Sequence, residues 1–385
     1  MLRPVKPEVK SVRANRLARW SGICTLLVFA TGAFAENAAP SVPVKAVTDK
    51  SAATKPKPAH ATAAPNPANP EPAAVPETPN PLLPEWLFPI DPASLIKPRP
   101  NAPPPKLDDV ESLGIPDSTE KYTKARINDL YNPPDWHPND HIPLPEIVAH
   151  GRKPLITACG FCHTPTGQGR PENSALAGLP EAYIKEQLEN FRSGARKPIG
   201  PEAYKPSRGM YAVAQNMTDA EIDESAKYFS QQKLGRRVWV IEGIRIPRAE
   251  PAHWVYEEVA GTEDLEDRLL EVAPDITRHE LRDDKMQYNA YVPPGSIARG
   301  KRLVTTGDGG RTQLCSGCHL GNLKGTDKIP PITGRSPTYV LRQLLAFKTG
   351  SRANEASKQM SPVVEKLELT DLVDIAAYLA TLYPQ

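Results

Sequence analysis

Cys159-Gly160-Phe161-Cys162-His163 and Cys315-Ser316-Gly317-Cys318-His319 are two copies of C-x-x-C-H. Two thiols at this spacing can each add to one vinyl group of a single porphyrin, and the adjacent histidine is then held beneath the iron. Paired cysteines also bind zinc or act as redox dithiols. A zinc site would need the two pairs to converge on one tetrahedron. Here the pairs begin 156 positions apart, at 159 and 315, each with its own histidine and matching surroundings. The expected cofactors are therefore two covalently bound haems c. One is attached at Cys159 and Cys162 and the other at Cys315 and Cys318, with His163 and His319 as iron ligands.

The elements that must position these motifs show up as an internal repeat. Shifted by 156 residues, the chain matches itself without a gap from Cys159/Cys315 to Arg196/Arg352. Tyr183 meets Tyr339, Gln187 meets Gln343, Phe191 meets Phe347 and Gly194 meets Gly350. With the shift reduced to 150 the match resumes at Met210/Met360, so a six-residue insertion lies within Lys197 to Arg208 of the first copy.

Each copy reads as three helices. A leading helix is expected over Glu146 to Leu155 and over Ser296 to Val304. A middle helix runs over Glu181 to Phe191 and Pro337 to Phe347, with proline near its first turn and Gly194 or Gly350 past its end. Tyr183, Gln187 and Phe191 share one face of it. The last helix opens on Thr218-Asp219-Ala220-Glu221, a capping-box pattern, and buries Ile222, Ala226 and Phe229. Its counterpart, Thr370 to Leu382, buries Leu372, Ile375, Ala376 and Leu379.

A sixth iron ligand decides the use of such a haem. A methionine thioether raises the potential and closes the iron to other ligands, whereas an open position suits O2 or peroxide chemistry. The repeat nominates Met210 and Met360, which precede the last helix in both copies after loops of different length. A methionine there is otherwise a core residue. That reading fits Met217, which pairs with the apolar Leu367. His137, His141 and His150 precede the first motif, and one of them could replace Met210.

Composition sets the context. The fifth cysteine, Cys24, lies in residues 1–35, which read as a secretory signal with a basic start, an apolar run and Ala33-Phe34-Ala35 before Glu36. An uncleaved span is the rival reading, but the run is shorter than the roughly 20 residues a bilayer needs. Removing this segment takes away six basic residues and Glu8, turning the formal +2 into −3. Nucleic acid is not an expected partner. Residues 36–120, rich in Pro and Ala, read as a disordered tether. Within them Leu82 to Pro89 is an apolar island, either a docking motif or the first piece to lie on the folded body. Residues 121–232 form the first haem domain, 233–290 a small mixed α/β inter-domain segment, and 291–385 the second haem domain. In the inter-domain segment Val238 to Ile241 and Ile244 to Pro247 read as strands, and the acidic stretch Glu257 to Glu271 as a polar helix or loop.

In their order, Leu176-Ala177-Gly178, Tyr183, Gln187-Leu188, Phe191, Gly194, Arg196 and Met210, with their counterparts after Cys315, resemble the tandem di-haem class I cytochromes c of the cytochrome c4-like group. The resemblance covers about 146–232 and 291–385. It implies a mainly α fold of two three-helix haem domains paired by a pseudo-twofold, and a role in shuttling electrons. In that family a proline after the motif offers its carbonyl to the proximal histidine. Pro330 or Pro331 can do so in the second copy, but Ser174 and Ala175 stand there in the first, and two non-equivalent haems are expected. The expected function is a periplasmic electron carrier serving an oxidase, reductase or dehydrogenase, not itself an enzyme. The alternatives are a di-haem peroxidase or sulfur-compound dehydrogenase, and a cytochrome subunit tethered to a membrane complex by its Pro-rich arm.

Overall fold

The computed structural model describes residues 82–90, 92 and 111–384. The expected signal at 1–35 and most of the tether lie outside the described residues. Where the tether expectation meets described residues, it is corrected. Glu85–Leu87 form a 3-10 turn, and Leu87 and Phe88 are buried in the core of the second copy. Arg342 donates to the Leu87 carbonyl from Nε and Nη2 at 3.2 and 2.9 Å, and Tyr256 donates its hydroxyl to the Trp86 carbonyl at 2.8 Å. Of the two readings of this island, packing on the folded body is the one seen.

The tether also stops short of residue 120. Strand β1 (Ser112–Leu113) pairs antiparallel with β2 (Tyr122–Thr123), which runs into the single turn α1 (Lys124–Ile127). Ile115, Ile127 and Trp136 close a small core and supply the apolar area that an Ala/Pro run lacks. Trp136 Nε1 bonds the Leu281 carbonyl at 2.6 Å, fastening this segment, the cap, to the inter-domain region.

The first copy contains α2 (Glu146–Ala149), α3 (Cys159–His163), α4 (Glu181–Arg192), α5 (Lys205–Asn216) and α6 (Asp219–Ser230). The leading helix expected to reach Leu155 is only the turn α2. Gly151 takes a left-handed φ of 62°, and a Cβ there would lie 2.2 Å from the Ile156 carbonyl oxygen, so only glycine allows the chain to double back. Helices α4 and α6 follow their sequence signals. Thr218 and Glu221 make the reciprocal capping box, and Ile222, Ala226 and Phe229 are buried.

The inter-domain segment is larger and more regular than its sequence suggests. Strands β3 (Val238–Glu242), β4 (Arg245–Ala252), β5 (Val255–Asp264), β6 (Leu270–Ala273) and β7 (Tyr288–Val292), with α7 (Ile276–Glu280) between the last two, form one sheet ordered β3-β7-β6-β5-β4. The acidic stretch expected as helix or loop is therefore mostly strand. Its charges are taken up across the sheet: Glu258 accepts from Asn289 and from the Tyr291 hydroxyl, and Glu263 meets Arg268. Val255, Tyr256 and Val259 supply the β preference. The expected boundary at 290/291 cuts through β7, so the second haem domain cannot begin there.

The second copy holds α8 (Ser296–Thr306), α9 (Cys315–His319), α10 (Pro337–Lys348), α11 (Glu355–Lys358), α12 (Ser361–Val364) and α13 (Leu369–Thr381). Helices α8 and α13 cross at Gly300, where a Cβ would fall 1.9 Å from the Asp374 carbonyl oxygen. Leu372, Ile375, Ala376 and Leu379 of α13 are buried. The sheet bonds to both copies. Arg237, just before β3, donates to the Gly169 carbonyl at 2.5 Å. Glu271 of β6 accepts from Ser336 Oγ at 2.5 Å and from Thr338 N at 3.2 Å.

Candidate haem sites

Each C-x-x-C-H forms one helical turn ended by a left-handed residue, Thr164 (φ 62°) after α3 and Leu320 (φ 64°) after α9. The turn lets the chain fold back, so Gly169 N reaches the His163 carbonyl and Gly325 N the His319 carbonyl, both at 2.9 Å. The imidazoles are fixed alike. His163 Nδ1 lies 2.8 Å from the Ser174 carbonyl and His319 Nδ1 2.8 Å from the Pro330 carbonyl. Ser174, standing where the family has a proline, makes the same contact in the first copy. The acceptor is main chain, and Ser174 stands where Pro330 stands under the 156 shift, so the side chain is immaterial. Bonding to a carbonyl makes Nδ1 the protonated nitrogen and leaves the Nε2 lone pair for a metal. Burial depresses both histidines, outweighing the carbonyl bond that opposes it, so both imidazoles are neutral and able to ligate.

In the first copy Cys159, Cys162, His163 and Met210 line one cavity of about 380 Å³, walled by Leu188, Phe191 and Phe229 among others. Burial pushes the Cys159 thiol up to about 12. In the second copy Cys315 and Met360 pack on one apolar core with Leu344 and Leu367, and His319 is buried. Met210 sits inside the long helix α5, whereas Met360 caps the short turn α12. The other histidines are engaged elsewhere: His137 with Asp284 at 2.5 Å, His141 with Asp135 at 3.0 Å and His150 with the Tyr131 carbonyl at 3.1 Å.

Between the copies the repeat pairs with itself. Arg196 reaches Gln187 Oε1 at 3.0 Å and Gln343 Oε1 at 2.8 Å. Arg352 reaches Gln343 Oε1 at 3.1 Å and Gln187 Oε1 at 2.8 Å. Arg196 and Arg352 also form an antiparallel bridge, and Tyr339, Arg342 and Gln343 of the second copy help line the first copy's cavity. Burial, and then the facing Arg352, depress Arg196. Burial likewise brings Arg335 down to about 10. Burial would raise the Tyr339 phenol, but Arg196, Arg352 and Arg335 outweigh it and the net direction is down. None of Arg196, Arg335 and Arg352 has a carboxylate partner among the described residues. Arg335 and Arg352 are buried and Arg196 half-buried, and such cations without anions fit a group bearing carboxylates, as the two propionates of a haem do. The repeat marks Arg196 and Arg352 in the sequence but gives them no role, and Arg335 was not singled out. The available signal was Gln187, a polar residue repeated at Gln343 on an otherwise aromatic face.

Arg352→Ala should remove three charge-assisted bonds, to Gln343, Gln187 and the Tyr183 hydroxyl, and the cation stacked 4.3 Å over Phe347. We expect a loss of about 3 kcal/mol in unfolding free energy. Thermal unfolding of the holoprotein checks this, and a change below about 0.5 kcal/mol contradicts it.

The cap carries a pH dependence. The hydrogen bond to Asp284, exceeding burial, raises His137 above 6.5. Burial alone would raise Asp284, but bonds from His137 and Thr166 prevail and it falls below 3.8. The histidine's stabilisation is complete below its ordinary value and is lost as pH rises through the raised one. The carboxylate's is complete above its ordinary value and is lost as pH falls through the depressed one. The cap is then firmest between about pH 4 and 6.5. Hydrogen exchange of residues 111–145 should show this optimum, and His137→Gln should flatten its alkaline side. An unchanged profile in that variant contradicts the assignment.

Two thiol–histidine turns, each with a carbonyl-oriented neutral imidazole, define a protein that carries covalent haem. A cytochrome c family model matches residues 148–233. Cytochrome c4 of Azotobacter vinelandii is 25% identical over 230 residues, covering 58% of this chain and 84% of that one. The thiosulfate dehydrogenase electron acceptor of Thiomonas intermedia (strain K12) is 25% identical over 232 residues, covering 59% and 79%. Cytochrome c-554(548) of Halomonas halodenitrificans is 34% identical over 88 residues, covering 23% of this chain and 96% of its own length. The chain belongs to the cytochrome c family as a cytochrome c4-like class I cytochrome c, with two covalently bound haems c, and it works in electron transfer.

Proposed function

We propose that the chain is a periplasmic di-haem electron carrier, taking electrons from one redox protein and passing them to another, and is not itself an enzyme. Each haem, when attached, supplies a one-electron centre. Cys159, Cys162, Cys315 and Cys318 would tether the two groups. His163 and His319 would ligate from one side, oriented by the Ser174 and Pro330 carbonyls. Met210 and Met360 would complete the ligand sets and keep water and small oxidants out. The single observation that carries this reading is the matched treatment of the two histidines, with the same acceptor position and the same 2.8 Å distance. Two alike sites suit relay of electrons rather than one site specialised for a substrate.

The electron acceptor of thiosulfate dehydrogenase named among the relatives supports a dehydrogenase as one donor, with the chain as its acceptor or subunit. Among the described residues no helix is long and apolar enough to cross a membrane. The periplasmic location rests on the signal-like residues 1–35 and on the need to mature covalent haem.

The test is absorption spectroscopy of the holoprotein made in a host that attaches haem c. We expect two haems per chain, the methionine-to-ferric charge-transfer band, a reversible two-electron titration, and no carbon monoxide binding when reduced. A haem that binds carbon monoxide in the resting protein would overturn the carrier reading in favour of an enzyme.

A further inference from the structure

The two attachment turns are alike in backbone but opposite in cover. In the first copy the cap closes over α3. Ala158 N bonds the Leu130 carbonyl at 3.0 Å, and a Cβ at Gly160 would touch Val148 O at 3.0 Å and Pro133 Cγ at 3.4 Å. The Arg282 guanidinium sits 3.5 Å over the Phe161 ring while bonding the Phe161 carbonyl. Among the described residues nothing comparable covers α9: a Cβ at Gly317, or at Gly321 just beyond the turn, would have no heavy atom within 4 Å.

The sequence follows this difference position by position. Ala158, 1% exposed, becomes Leu314, 47% exposed, and Thr164, 1% exposed, becomes Leu320, 45% exposed. Two large apolar side chains therefore stand in solvent on either side of the second motif, where the first copy has small covered ones. Placing leucine in water at both flanks of one turn has no packing benefit within the chain. The same stretch is basic. Between 301 and 328 Lys301, Lys324 and Lys328 are exposed beside Asp327, while the exposed Arg302 and Arg311 are shared with Asp308 and Asp371. Helix α8, which bears Lys301 and Arg302, packs on α9.

Resting on the carrier reading, we propose that the chain has one docking face for its redox partners, at α9 of the second copy, and that it fits a redox protein presenting an apolar centre ringed by carboxylates. The first copy's attachment edge is closed by the cap and exchanges electrons only through the second copy. The apolar pair supplies the contact and the cations supply orientation and encounter rate.

The probe is a gold surface coated with a mixed methyl- and carboxylate-terminated monolayer, used with the holoprotein. Adsorption is followed by surface plasmon resonance, and the electron-transfer rate by voltammetry of the adsorbed film. We expect adsorption that weakens as salt rises. It should fall at least tenfold in Leu314→Glu/Leu320→Glu, with the voltammetric rate falling too, and the salt dependence should shrink in Lys324→Glu/Lys328→Glu. Leu155→Glu, which changes a leucine 53% exposed in the first copy, should match the unaltered protein. All five positions are exposed, and a content of two haems per chain verifies each variant's fold. Adsorption indifferent to Leu314 and Leu320, or an equal loss in Leu155→Glu, overturns the proposal. Titration with a small soluble mediator separates the two readings. If both haems cycle while adsorption ignores the leucines, only the docking face falls; if they do not cycle, the carrier reading falls and takes the docking face with it.

Discussion

Cys159→Ser/Cys162→Ser should yield a chain with one covalent haem and an unfolded first copy. The cavity between α3, α4, α5 and α6 has a volume of about 380 Å³. At roughly 24 cal/mol per Å³, leaving such a space empty costs up to about 9 kcal/mol. That is comparable to the whole stability of a domain, about 5–15 kcal/mol. Filling by the attached group is then what holds Leu188, Phe191 and Phe229 in place. Intact-mass measurement should show one haem increment instead of two, and limited proteolysis should cut within 146–230 while sparing α13. Two increments, or an uncut first copy, would sink the assignment of these thiols.

Met210→Ala and Met360→Ala should each lower one midpoint potential by about 0.1 V or more and leave the other nearly fixed, since axial ligands command roughly 0.8 V across haem proteins. The charge-transfer band should fall by half in each variant, and the altered site should bind carbon monoxide when reduced. Met217 provides the contrast. It is 4% exposed and packed in the first copy's core, so Met217→Leu should change stability slightly and the potentials hardly at all. A Met210→Ala protein with its band and both potentials intact would return Met210 to the role of a core residue.

The repeat explains why the haem-binding halves were readable. Helices α4, α6, α10 and α13 carry their own signals in proline, glycine, capping residues and a 3.6-residue apolar period, and each signal occurs twice. The rest depended on partners distant in sequence. The Glu257 to Glu271 stretch looked polar because its acids meet Asn289, Tyr291 and Arg268 only once the sheet has formed. The short α2 depended on a left-handed Gly151, and helical periodicity does not register one backbone angle. The doubt over His163 arose from reading a side chain where the working atom is a carbonyl, which every residue has. The inter-copy arginines were visible as repeated letters, but their meaning needed the two copies face to face.

The crossed bonds of Arg196 and Arg352 make the joint between the copies self-complementary. Gln187 receives the second copy's arginine as Gln343 receives the first copy's, which is the pattern of two identical subunits about a twofold axis. Each glutamine also accepts from the arginine of its own copy. Loss of either one therefore takes an acceptor from both cations, and the joint loosens in both copies at once.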